Sequence, residues 1–157
     1  MHVNLLGILG EIDETDEELY LSTPVGIEVK GKVLAIADLA NNRIVVISDK
    51  IVKIGKYGTK PLSFDLPIDV RFDRKGYVLV TEIGNHRIQK FDSKFDFVKL
   101  WGGFGKIPGK FNIPNRIAVD KENNYYVVDE FNRRIQKFDE DGNVILIFGR
   151  GYGKEKE

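Results

Sequence analysis

The chain contains three copies of one sequence pattern, and this repetition constrains its fold more than any other feature. Each copy begins at a proline, passes through a short alternating segment to an acidic residue, and then reaches Asn-x-Arg-Ile. The paired segments are 24–29 with 37–44, 67–73 with 81–92, and 114–120 with 128–139. The arginines of the pattern, Arg43, Arg87 and Arg134, lie 44 and 47 residues apart. A repeat of this length indicates a stacked or circular array of similar units.

Each copy divides into four short runs that are rich in β-branched and aromatic residues and are separated by turn residues, which is typical of strands joined by tight turns. The predicted strands are 26–29, 33–38, 43–48 and 51–55 in the first copy, 70–73, 77–82, 87–92 and 95–101 in the second, and 117–120, 125–129, 135–139 and 144–148 in the third. No helical period with caps is present, so no helix of three turns is expected in residues 22–149. A repeated antiparallel meander of four strands predicts a β-propeller blade.

The three copies resemble the NHL repeat, a blade of a β-propeller. The family pattern runs Pro-x-Gly-Val-Ala-Val-Asp, then Val-x-Asp-x-x-Asn-x-Arg-Ile-x-x-Phe, and ends in a hydrophobic strand with Phe-Gly. The third copy matches as far as Phe148-Gly149, whereas the second has Glu82 in place of Asp. The first copy is the weakest match. The resemblance implies an all-β, NHL-type propeller domain with repeats at about 22–58, 64–105 and 111–153.

NHL propellers usually close with six blades, so the resemblance implies that three repeats form half of a ring. Residues 4–10 align with 143–149, which predicts an extra outer strand over 3–10. The ring would then be completed by dimerisation or as part of a longer chain. Residues 11–18 include six acidic side chains, while the equivalent loops at 56–60 and 105–110 are basic. The C-terminal segment 150–157 is mixed in charge but begins with a basic residue. Head-to-tail closure of two chains would bring the acidic loop beside that segment, which favours a homodimer, with a protein as the main expected partner.

Every repeat places a carboxylate five residues before an arginine. The pairs are Asp38 with Arg43, Glu82 with Arg87, and Asp129 with Arg134. Across a tight loop this spacing brings carboxylate and guanidinium close enough for charge-assisted hydrogen bonds. An enzyme needs one asymmetric site, whereas these pairs recur in every repeat, so we expect them to hold the loop between the second and third strands.

The variable positions of these loops are better candidates for binding, because loops on a rigid scaffold often carry function. The family resemblance places them on one face together with the loops between blades. The predicted ligand-binding face consists of His86, Phe131, Arg133, Asn115, Arg116 and Tyr57. Two further aromatic residues, Trp101 and Phe104, either join this face or pack between blades. Charged residues on the innermost strands are expected to pair near a central channel: Glu28, Asp69, Arg71 and Arg116.

Composition excludes several kinds of chemistry. The chain has no cysteine and only two histidines, His2 and His86, so we expect no cofactor and no metal centre of Cys or His ligands. The net charge is zero, so no overall field attracts nucleic acid or a membrane. No secretory signal is recognisable, which predicts the cytoplasm if the chain is complete.

The main functional hypothesis from the sequence is therefore a non-catalytic scaffold, not an enzyme, that binds a protein and associates with itself. One alternative is RNA binding through the basic and aromatic loop face, which the resemblance to TRIM-NHL proteins permits. A second alternative is a metal-dependent propeller hydrolase or lyase that uses carboxylates.

Overall fold

The computed structural model describes residues 19–149 and contains twelve strands. They are β1 (Pro24–Lys30), β2 (Val33–Asp38), β3 (Arg43–Ile47), β4 (Ile51–Ile54), β5 (Pro67–Phe72), β6 (Val78–Glu82), β7 (Arg87–Phe91), β8 (Phe97–Gly102), β9 (Pro114–Val119), β10 (Tyr125–Asp129), β11 (Arg134–Phe138) and β12 (Val144–Gly149). Successive groups of four form three antiparallel sheets, each a meander in chain order. This arrangement confirms the predicted all-β fold with three four-stranded blades.

Helical structure is limited to single turns. Over residues 19–149 the only helical segments are 3-10 turns at Leu39–Asn41 and Glu130–Asn132, which the sequence did not predict. The expected absence of a three-turn helix in 22–149 is thus confirmed. In the same described range, no helix has the length and apolar character required to span a membrane. The predicted outer strand over 3–10, the acidic run 11–18 and His2 lie outside the described residues.

Aspartates form the tight turns on one side of the second and third blades. The Oδ1 atom of Asp73 accepts hydrogen bonds from the backbone N–H groups of Lys75 and Tyr77, both at 2.9 Å. The same two bonds recur at the other turns, where the accepting carboxylates belong to Asp92, Asp120 and Asp139. An aspartate side chain that caps its own turn in this way fixes the reversal of the chain.

The innermost strands begin earlier than the sequence predicted. The strands β1, β5 and β9 begin at Pro24, Pro67 and Pro114, three residues or fewer before the predicted starts. Each proline pairs across the sheet with the acidic residue that recurs in every repeat, and a register shift follows directly. Proline is tolerated at the first position of a strand because its missing N–H breaks no ladder bond there.

The hydrophobic core lies between blades. Ala35, Ile44 and Val46 of the first blade pack against Phe64, Val70, Val78, Val80 and Phe91 of the second. Leu79 and Ile88 of the second blade pack against Phe111, Ile117, Tyr125, Val127 and Phe138 of the third. Each blade therefore buries one apolar face against its neighbour, which is how a propeller stabilises sheets that cannot stand alone.

Candidate functional site

The carboxylate–arginine pair of every repeat forms an ion pair beside the loop that follows the second strand. The distances from arginine Nε to the carboxylate are 2.8 Å for Arg43–Asp38, 2.7 Å for Arg87–Glu82 and 2.6 Å for Arg134–Asp129. All three carboxylates are fully buried. A buried carboxylate is stable only when it is paired and hydrogen-bonded, so these contacts anchor the loop.

The same arginines also hold the connection that leads into their blade. Arg134 donates to the carbonyls of Lys106, Ile107 and Lys110 at 2.6–3.0 Å. Arg87 makes the equivalent bonds to Thr59, Lys60 and Ser63. One guanidinium thus ties together two loops on one side of the molecule, which we call the loop face.

His86 lies on the loop face at the junction between the second and third blades. Its backbone has a left-handed conformation with φ of 51°. Its Nδ1 atom accepts a hydrogen bond of 3.1 Å from the backbone N–H of Ile113. Because Nδ1 accepts this bond, the neutral ring carries its proton on Nε2. The ring also packs at 5.1 Å against the exposed ring of Phe104.

Glu130 approaches the same junction from the third blade. Its backbone N–H donates to the carbonyl of Ile113 at 3.2 Å, so the peptide groups of Ile113 contact both Glu130 and the ring of His86. The carboxylate of Glu130 is exposed and accepts a hydrogen bond of 2.7 Å from Asn115. Glu130 is one of the variable positions of its loop, but the predicted ligand-binding face did not include it.

The other residues of the predicted ligand-binding face occupy separate places. Phe131 and Tyr57 are exposed, and Tyr57 is the counterpart of Phe104 one blade earlier. Arg133 is exposed in a left-handed conformation. Arg116 points instead toward the second blade and donates to the carbonyl of Ile68 at 3.2 Å. Among the predicted residues, His86 therefore has a ring contact with Phe104, and Asn115 has a hydrogen bond with Glu130.

Trp101 packs between blades rather than on the loop face. Its ring is stacked on Tyr125 with centroids 6.2 Å apart and tilted against Phe138 at 6.1 Å. The sequence left two alternatives open for these residues. Trp101 packs between blades, whereas Phe104 is exposed on the loop face.

The charges of the innermost strands form a chain of ion pairs. Arg71 pairs with Glu28 of the first blade and, at 3.3 Å, with Asp69. Asp69 also accepts a hydrogen bond of 3.0 Å from the backbone N–H of Ile117. Burial raises the pKa of Asp69, and the Ile117 N–H and the Arg71 guanidinium oppose that rise. A cavity of about 580 Å³ lies alongside, lined among others by Glu28, Lys30, Arg71, Arg74, Ile117 and Val119.

A second buried polar cluster links the second and third blades on the side away from the loop face. The hydroxyl of Tyr125 donates to Asp73 at 2.8 Å, and Lys90 donates to that hydroxyl at 2.9 Å. Burial lowers the pKa of Lys90, whereas burial and the bond to Asp73 raise the pKa of Tyr125. These residues fill a blade junction. Within residues 19–149, no three His, Cys, Asp or Glu side chains are grouped so that they could hold a metal ion.

Comparison with known proteins identifies the fold through solved structures alone. No protein-family model and no curated protein sequence matches the chain. The chain is similar to a streptogramin B lyase structure, with a TM-score of 0.66 and 17% identity over 84% of this chain and 42% of that one. It is also similar to a catalytically inactive histidine-to-alanine variant of virginiamycin B lyase from Staphylococcus aureus with quinupristin, with a TM-score of 0.65 and 21% identity over 84% and 43%.

A further similar structure is the nidogen/laminin complex, with a TM-score of 0.65 and 15% identity over 83% of this chain and 49% of that one. The chain therefore spans less than half the length of the structures that it resembles. These likenesses show the β-propeller fold, which confirms the coarser part of the predicted resemblance.

The main functional hypothesis from the sequence is wrong in the light of these comparisons. It described a non-catalytic scaffold, whereas the similar structures include lyases. The sequence reasoning set the symmetric ion pairs aside as structural and assigned the variable positions beside them to binding rather than to catalysis.

Proposed function

We propose that this chain is part of a β-propeller lyase of NHL-type repeats and that its reaction takes place on the loop face beside Ile113. The observation that carries the proposal is that the imidazole of His86 and the backbone of Glu130 are both fixed to that one residue. The exposed rings of Phe104 and Phe131 lie beside the loops that carry His86 and Glu130. An apolar surface next to a few fixed polar groups is the usual character of a small-molecule site.

The residues suggest an elimination next to a carbonyl group. The carboxylate of Glu130 removes a proton from the carbon beside the carbonyl, and the electron pair moves onto the carbonyl oxygen. The Nε2–H of His86 donates a hydrogen bond to that oxygen and stabilises its charge. When the enolate collapses, a carbon–carbon double bond forms and the bond to the leaving heteroatom breaks. The leaving atom takes the proton from Glu130, so the step needs neither water nor a redox partner.

The tautomer of His86 decides between two roles for this residue. A neutral imidazole that uses Nδ1 to accept the Ile113 N–H has a donor, and no lone pair, at Nε2. It is therefore suited to stabilise a developing oxyanion rather than to remove a proton. Asn115 holds the carboxylate of Glu130 through a bond of 2.7 Å, which leaves the other carboxylate oxygen for the substrate proton.

Quinupristin, the compound named with the similar lyase structure, serves as the probe. The protein is incubated with it in the presence of magnesium and, separately, of a chelator, and the products are analysed by mass spectrometry. Elimination leaves the total mass unchanged, whereas hydrolysis adds one water. If quinupristin is not consumed under either condition, the proposal is contradicted.

The matched variant is His86→Asn. Asn42 occupies the same position one blade earlier, and its Oδ1 accepts the backbone N–H of Leu66 at 2.8 Å. His86→Asn therefore preserves the bond that holds the junction but removes the imidazole N–H. We expect normal thermal stability and a loss of roughly 10²–10³ in kcat, as for removal of one oxyanion donor. Full activity of this variant, or of Glu130→Gln, would refute the assigned roles.

A further inference from the structure

We call the side of a blade that faces the next blade its forward face, and the opposite side its back face. The junction between the second and third blades shows what covers a forward face. On the forward face of the second blade, Leu79 and Ile88 are fully buried. They pack against the back face of the third blade, which includes Tyr125, Phe138 and the preceding Phe111. The same contact should cover any blade with equivalent residues.

The forward face of the third blade carries equivalent residues but has no blade against it within residues 19–149. Ile135 occupies the position of Ile88 and is 39% exposed, whereas Ile88 is 0% exposed. Phe148 occupies the position of Trp101, and neighbouring Leu146 is also exposed. Ile135 and Phe148 are direct cross-strand neighbours, and Leu146 lies opposite Lys137 on the same face. Exposed apolar side chains grouped in this way usually mark a contact site.

The back face of the first blade is open in a complementary way along its inner strand. Ile27 occupies the position of Val70 and Ile117, yet it is 59% exposed while they are 0% and 3% exposed. Val29, two residues along the same strand, is also exposed. Nearer the rim this face is already packed with Leu19, Leu21 and the side chains of β2 and β3. Leu21 stands where Phe111 stands in the internal junction.

Charge distinguishes the two ends as well. At the first two junctions, Asn42 and His86 accept a backbone N–H of the next blade. The equivalent residue of the third blade is Arg133, whose guanidinium has donors only and is exposed. It therefore cannot accept such an N–H, and it offers its donors to an acceptor on a partner. At the opposite end, residues 11–18, which include six acidic side chains, directly precede Leu19 on the back face.

We propose that two copies of this chain join end to end. The forward face of the third blade of each copy packs on the back face of the first blade of the other. The contact then occurs twice about a two-fold axis, and three blades from each copy close one ring of six. Ile135 and Phe148 bury Ile27, Val29 and Leu21 of the second copy. Arg133 binds the acidic run of that copy. This inference rests on the internal blade junctions and not on the proposed lyase reaction.

The test is the mass of the protein in solution, measured by light scattering at about ten micromolar, a concentration at which a pair with a Kd below about one micromolar is mostly associated. We expect twice the chain mass of 17.9 kDa. Higher salt should raise the Kd of the pair, because the contact of Arg133 with acidic residues is screened. A folded monomer at this concentration would overturn the proposal. So would a trimer or an open series of larger species, since neither closes a six-blade ring.

The variant that breaks the contact is Ile135→Glu, and Leu100→Glu is its matched control. Both residues lie on strands and both are 39% exposed, but Leu100 lies on the outer strand of the middle blade, away from either end. We expect the monomer mass for Ile135→Glu and the dimer mass for Leu100→Glu. If Ile135→Glu fails to fold, the exposed charge reversal Arg133→Glu decides. A dimer that persists unchanged in Arg133→Glu at low and high salt would refute the assigned interface.

Discussion

Replacement of Arg87 by alanine tests whether the repeated ion pairs hold the propeller together. The guanidinium is almost fully buried and bonds to the carboxylate of Glu82 at 2.7 Å. It also donates to the carbonyls of Thr59, Lys60 and Ser63. Arg87→Ala leaves a buried carboxylate without its counter-charge and removes one donor from each of three carbonyls, of which those of Lys60 and Ser63 keep a second donor.

The remaining partners of Glu82 set the size of the effect. Its carboxylate still accepts bonds from Gln89 at 2.8 Å, Asn85 at 2.6 Å and the backbone N–H of Asp65 at 3.0 Å. Loss of one member of a buried ion pair costs about 3–5 kcal/mol. Because three donors remain on the carboxylate, we expect the lower end, about 3 kcal/mol. For a domain of this size that lowers Tm by roughly 6–12 °C.

Urea titration followed by circular dichroism measures this difference in the free energy of unfolding. Two further variants check the reasoning. Arg43→Ala should cost only about 1 kcal/mol, because the side chain of Arg43 is 19% exposed and water can replace it. The double change Glu82→Gln with Arg87→Ala should recover part of the loss, since no uncompensated charge remains. Equal costs for Arg43→Ala and Arg87→Ala, or no measurable cost for Arg87→Ala, would refute the argument from burial.

Two other predictions follow from single contacts. A Cβ atom on Gly26 would lie 2.7 Å from both the Cα of Asp69 and the carbonyl oxygen of Ile68, so Gly26→Ala should force the first two blades apart. We expect about 1–3 kcal/mol of destabilisation in urea unfolding. Although burial opposes it, bonds from Asn124 lower the pKa of Asp120 to about 2. The contribution of Asp120 to stability is therefore complete above about pH 4 and is lost as pH falls through about 2. The stability difference between Asp120→Asn and the wild type should disappear over that range in acid unfolding curves.

Features that depend on neighbours in sequence were predictable. The acidic residue and the arginine of each repeat are five positions apart, and a tight loop brings them opposite each other, as Glu82 and Arg87 are. The turn aspartates bond to backbone groups two and four residues on, so Asp73 and Asp139 needed only local sequence. The strand pattern and the blades followed from the same local signals.

Features that depend on the packing of one blade on the next were not predictable. In a strand of alternating residues, Lys90 reads as a solvent-facing side chain, yet the third blade covers it and Tyr125 contacts it from 35 positions away. The roles of Trp101 and Phe104 could not be separated for the same reason. Trp101 points into the junction, while Phe104 points out of it.

The functional error has a physical origin in the repeat itself. Symmetry of the ion pairs suggested that no single site stands out, but symmetry of the scaffold says nothing about the position next to each arginine. That position is Asn42, His86 or Arg133, and its backbone conformation is left-handed in all three blades. The backbone thus presents each of these side chains toward the following blade, whatever its chemistry.

In the first two blades the side chain accepts an N–H and closes the junction. With histidine this also leaves a donor at Nε2 for a ligand. With arginine, the side chain has donors only and cannot accept an N–H, which is why we propose an acidic neighbour at this end. One variable position per blade therefore sets both the proposed chemistry at the second junction and the proposed pairing at the third.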